Sequence, residues 1–166
     1  MAVDSYAFLP RAFRPMYEAV ERHDHDPVWA DFDTPLNGAR IGLLSSAGIY
    51  LADRQEPFDV ERERREPTWG DPTLRIIPND VTQSQIDATH LHINTTDMLA
   101  DMNVAMPIAR LNELAADGTI GSVSPEHYSV MGYQENGAEV WRITTGPEIA
   151  ARCHASDIDA LILAPA

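Results

Sequence analysis

Residues 40–48 read RIGLLSSAG, a short apolar run closed by small residues, and the fold class depends on how this run is read. Its apolar residues are consecutive, not alternate, which suits a strand buried on both faces, as in a parallel sheet. Ala47 and Gly48 behind it let the backbone approach a ligand or another chain closely, which makes Gly48 a candidate substrate-binding position. Working outward, Leu74–Pro78 (LRIIP), Ile86–Ile93 (IDATHLHI) and Ile158–Leu163 (IDALIL) read as further strands. Thr119–Ser122 and Tyr128–Met131 are shorter apolar runs, and Glu139–Ile143 is expected as a strand reached through the Glu135-Asn136-Gly137 turn. Helical spacing marks residues 9–23 through Leu9, Phe13, Met16, Tyr17 and Val20, with Pro10 in the first turn and Pro15 as a kink or break. Met106–Ala116 and a segment from Gly146 to about His154 read as helices as well. Helices alternating with apolar strands predict an α/β fold: a single Rossmann-like three-layer sandwich with a mostly parallel sheet, one domain over residues 1–166. A charged irregular insertion interrupts it at about 53–71, DRQEPFDVERERREPTWGD. Arg62, Arg64 and Arg65 alternate there with glutamates and read as a solvated stretch in preference to an anion clamp.

The chain is long enough for a substantial core. Its formal charge of −14 argues against nucleic acid and anionic membrane surfaces as partners, since both draw on clustered cations. All 12 basic residues are arginines, so a Schiff-base lysine, a phosphate-loop lysine and a lysine general base are excluded. Cys153 is the single cysteine, which rules out an intrachain disulfide, a CxxC pair and a cysteine zinc cluster. The start MAVDSYAFLPRAF has no signal pattern, and no apolar run reaches the ~20 residues a membrane span needs, so a cytoplasmic protein is expected.

The chemistry concentrates in Thr89–Pro107, THLHINTTDMLADMNVAMP. On a strand, His90 and His92 share one face about 7 Å apart. That spacing permits a shared substrate contact or a divalent metal, with further ligands from Asp97, Asp101 or His127. His127, near neutral in its titration, suits a general acid or base, although on the residues alone a histidine bonded to loop carbonyls is the preferred reading. Asp101 and Asn103 precede a helix, where either alone reads as a cap. His23, Asp24, His25 and Asp26 read as a solvated link, and Cys153 as an inert, partly buried thiol.

Taken in order, LPRAF, PLNGARIGLLSSAGIYL, PFD, GDPTLRIIP, THLHINTTDMLADMNVAMPIARLNEL, DGTIGSVSPEHYSVMG and DIDALILAPA resemble the selenoprotein B family of the glycine, sarcosine, betaine and D-proline reductases. The resemblance implies a component of a reductase that cleaves a C–N bond in an amino-acid-like substrate. His90, His92, Asp97, Asp101, Asn103, Arg110, His127 and Gly132 stand at positions resembling the family's. The resemblance places the attacking selenolate or thiolate just beyond a segment like LILAPA, and Cys153, lying before the final strand, does not match it. The expectation is therefore a reductase component that takes its redox chemistry from a partner. It would act as a homo-oligomer or as a hetero-oligomer with a redox-active subunit. His92, Asp101 and His127 are its expected catalytic residues; His90, Asp97, Asn103 and Gly48 are its expected substrate contacts. No cofactor is certain, and a divalent metal on His90 and His92 is the candidate. The alternatives are a stand-alone His/Asp lyase or hydrolase, metal-dependent or not, and a non-catalytic assembly or regulatory subunit.

Overall fold

The computed structural model describes residues 10–12, 14–19, 30–134 and 138–166, and the chain divides into two units, Met1–Asp31 and Phe32–Ala166. In the first unit the described helix is α1, Arg14–Glu18. Pro15 sits in its first turn, where a missing N–H costs nothing. Leu9, Phe13 and Val20 of the expected longer helix, and the His23–Asp26 group, lie outside the described residues.

The second unit is built on β1, Arg40–Ser45. One edge of β1 carries β7, Ala160–Ala164, in parallel register from Ile41 opposite Ala160 to Ser45 opposite Ala164. Its other edge is shared by two short parallel strands, β5 (Ser122–Val123) and β6 (Glu126–Ser129). Beyond β6 lies β3, Arg75–Pro78, antiparallel to it. A separate antiparallel pair joins β2, Ile49–Leu51, to β4, Ile86–Ala88. The fold is therefore mixed α/β with a mostly parallel sheet. Antiparallel β3 and the β2–β4 pair depart from the plain three-layer sandwich expected.

Both faces of β1 are covered, as its unbroken apolar run requires. Ile41 and Leu43 pack with Ile77, Met98, Met106, Ile108 and Leu111, which brings α3 (Thr96–Ala100) and α4 (Ile108–Ala116) to that face. Leu44 packs with Tyr128, Ile149, Cys153 and Leu161, so α6, Gly146–Ala155, belongs to the other.

Two expected strands are corrected. Glu139–Ile143 is helical: α5, Ala138–Val140, runs through a π turn at Trp141–Thr145 into α6. Trp141, Thr145 and Ile149 recur every four residues on one face, with Thr145 and Ile149 buried, and that packing overrides the β-branched composition. The strand expected over Ile86–Ile93 ends at Ala88. The insertion at 53–71 also holds α2, Val60–Arg65, capped by the Asp59 carboxylate, which accepts the Arg62 N–H at 2.9 Å. Among the described residues no helix is long and apolar enough to cross a membrane.

Candidate functional site

Gly48 organises the carboxyl edge of the sheet. Its N–H donates to Val130 O at 3.1 Å and its carbonyl accepts from Thr89 N at 3.0 Å, tying together the segments that follow β1, β6 and β4. Its φ is +66°, and a Cβ there would lie 2.3 Å from Thr89 O, so only glycine permits the approach. The expected ligand contact at Gly48 is thus occupied by the chain's own backbone.

His90 and His92 follow directly after this clamp, on a loop. Side chains supply the bonds that a ladder would have made: His90 Nδ1 accepts from the His92 N–H at 3.1 Å, and Asn94 Oδ1 from the Thr96 N–H at 3.0 Å. Such local bonds compete with strand pairing. The rings still converge, edge to face, with centroids 5.8 Å apart. His92 Nε2 lies 3.2 Å from Oε1 of Glu63, whose side chain is 1% exposed against 47% for His92. The Tyr133 ring packs on His92 at 4.3 Å, and the Tyr133 hydroxyl donates to Pro67 O at 2.7 Å.

Burial raises the Glu63 carboxyl above its ordinary value, opposed by neighbouring His92. Burial, with the charge of His92, lowers His90, so His90 is neutral near pH 7. Because Nδ1 of His90 is an acceptor, its proton is on Nε2. Glu63 Oε2 and His90 Nε2 are both buried with no protein partner, and an unmade bond at such a group costs about 1–3 kcal/mol. The cluster therefore holds one buried acceptor and one buried donor whose hydrogen bonds are unmet within the described residues. Glu63 and Tyr133 were not singled out in the sequence. Nothing in VERERR separates Glu63 from the exposed Glu61, and only the flanking aromatics hint that the helix docks. Phe58 is 1% exposed, and Trp69 stacks under the Arg62 guanidinium at 4.2 Å. The solvated reading holds for Arg62, Arg64 and Arg65, whose partners are the exposed Glu66 and Glu61 and the Glu61 carbonyl.

The other expected site residues are placed in separate contacts. Asp97 lies in the first turn of α3. Asp101 Oδ1 accepts from Asn103 N at 3.0 Å and from Asn103 Nδ2 at 2.8 Å, bonds that lower its carboxyl. Asn103 Oδ1 accepts the Ala109 N–H at 3.0 Å, capping the start of α4. Arg110 pairs with Glu113 at 2.8 Å on the exposed side of α4.

His127 is fully buried in β6. Its Nδ1 accepts the Leu43 N–H at 3.2 Å and its Nε2 meets Asn79 Oδ1 at 3.2 Å. Burial lowers it to about 4. Cys153 packs in the α6-side core, and burial raises its thiol. Among the described residues no three His, Cys, Asp or Glu side chains converge as a metal set.

The sequence profile of the glycine/sarcosine/betaine reductase selenoprotein B family matches residues 19–166. The chain is also 27% identical over 139 residues to the D-proline reductase subunit gamma of Acetoanaerobium sticklandii, an alignment covering 82% of this chain and 52% of that protein. The chain thus spans about half the length of the curated relative it matches. No solved structure gives a significant match.

Proposed function

Since the chain belongs to the glycine/sarcosine/betaine reductase selenoprotein B family, we propose that it is a component of a reductase acting on an amino-acid-like substrate in the cytoplasm. The observation that carries the site is the His90–His92 loop on buried Glu63, with Glu63 Oε2 and His90 Nε2 left without protein partners. It stands at the carboxyl edge of the sheet, where open α/β folds hold their ligands. A zwitterionic substrate matches it in kind: Glu63 accepts from an ammonium, and His90 donates to a carboxylate.

Redox chemistry comes from a partner subunit in this reading. The partner docks along β7, which pairs only with β1 among the described residues and leaves Leu163 66% exposed. The end of β7 adjoins the same edge, since Ser46 N donates to Ala164 O at 3.2 Å and Ala166 N to Ser46 Oγ at 2.9 Å.

Titration of the protein with glycine, sarcosine, betaine and D-proline, followed by histidine-resolved NMR, tests the substrate class. At least one is expected to move the His90 and His92 signals, with the response lost in His90→Ala. Silence from all four at millimolar concentration would reject the site as a substrate pocket and favour an assembly role.

A further inference from the structure

We propose that Glu63 is the positioning residue of His92: its Oε1 holds the proton on Nε2, leaving Nδ1 as the nitrogen that takes a proton from a bound molecule. The inference rests on the site reading above but not on the identity of the substrate.

A glutamate from a charged surface helix has no packing reason to be 1% exposed on its side chain. A buried carboxylate survives only with a partner, and its described hydrogen-bonding partner is the ring nitrogen of His92, at 3.2 Å. The ring is constrained from other directions as well. Tyr133 packs on it at 42° and His90 stands at 85° to it, while the His92 backbone N–H is held by His90. The half-exposed ring remains reachable from solvent. A carboxylate on one imidazole nitrogen and an open second nitrogen is the arrangement of an oriented general base.

The step balances simply. A bond from a ligand heteroatom to hydrogen breaks, its electron pair stays on the ligand, and a new N–H bond forms at Nδ1. Glu63 then faces an imidazolium as a charge-assisted partner. The charged or titratable groups facing this pair are Asp71 on the Glu63 side, and His90 and Tyr133 on the His92 side.

The test is 15N-resolved NMR of the imidazole groups in ligand-free wild-type protein, Glu63→Gln and Glu63→Leu. Neutral His92 in the wild type is expected as a single Nε2–H tautomer with a slowly exchanging proton. Both variants are expected to exchange that proton about tenfold faster or more, the scale of a charge-assisted bond, and to mix or invert the tautomers. Unchanged His127 signals would confirm that each variant keeps its fold. An Nδ1–H tautomer in the wild type, or unchanged His92 exchange and tautomers in folded variants, would overturn the proposal. No substrate enters the measurement, so failure of the reductase reading leaves this result standing, and the reverse also holds.

Discussion

His127 shows at the scale of one residue how a catalytic-looking group becomes structural. The break between β5 and β6 leaves the Leu43 N–H without a backbone acceptor, and the imidazole Nδ1 fills the place. An acceptor Nδ1 puts the proton on Nε2, facing Asn79, which in turn exchanges amide bonds with Asn112. The sequence left His127 open between acid–base chemistry and bonding to loop carbonyls, whereas its partners are a strand N–H and an asparagine. Only burial separates the two, and burial is not visible in PEHYSVMG. Burial holds the folded-state value at about 4, below the usual 6.5, so the unfolded chain binds this proton first as pH falls. The stability from this group is complete above 6.5 and is lost between 6.5 and about 4, a loss of about 3 kcal/mol. Urea titrations across that range are expected to show this slope in the wild type and its removal in His127→Gln. The same variant should be about 2 kcal/mol less stable at pH 7, because the Leu43 N–H loses its fitted acceptor. Glu63 carries the opposite sign. Its raised value means that its contribution is present below the ordinary 4.5 and is lost as pH rises through the folded-state value. Glu63→Gln is therefore expected to gain stability relative to wild type as pH increases, read from the difference between the two urea curves.

At the scale of elements, legibility followed the continuity of the apolar pattern. RIGLLS, LRIIP and the helix at 108–116 stand close to where their spacing puts them, because each buries its apolar side chains without a competing local bond. IDATHLHI shares the apolar content but not the outcome. His90 and Asn94 turn their side chains onto nearby N–H groups, and a strand reading cannot weigh such bonds against a ladder. The consequence for the site was mild, since the loop still brings the two rings to 5.8 Å. Gly48 was legible as a close-approach position, although the backbone it approaches is Thr89 of the same chain, instead of a ligand or another chain. Gly48→Ala is expected to destabilise by more than ~2 kcal/mol, since it combines a positive φ with a backbone clash. The drop would be read as a lower midpoint in thermal or urea unfolding. Asn103 belongs at this scale too. Asn103→Ala removes the acceptor for Ala109 N and should cost about 1 kcal/mol, with ligand responses at His92 unchanged. A loss of those responses at full stability would return Asn103 to the binding site.

For the whole molecule, charge and the open sheet edge constrain association together. β7 leaves Ile162 42% and Leu163 66% exposed, on opposite faces of a strand that pairs only with β1 among the described residues. Apolar residues on an unpaired edge invite another surface. A net charge of −14 opposes a second copy of the same chain, because like charges repel over a Debye length of about 10 Å at 0.1 M salt. A partner with a basic docking face meets no such repulsion and gains from the opposite field. The two effects separate experimentally. In sedimentation velocity, self-association through β7 should be weak at low salt and should strengthen in about 0.5 M sodium chloride as the charges are screened. Association with a subunit that presents a basic docking face should weaken under the same change. Leu163→Lys should reduce both, since it places a charge on the apolar edge while leaving the β1–β7 register intact. If Leu163→Lys leaves the sedimentation profile unchanged at both salt concentrations, the β7 edge is not the docking surface. The redox partner proposed above would then have to reach the proposed carboxyl-edge site from a different side.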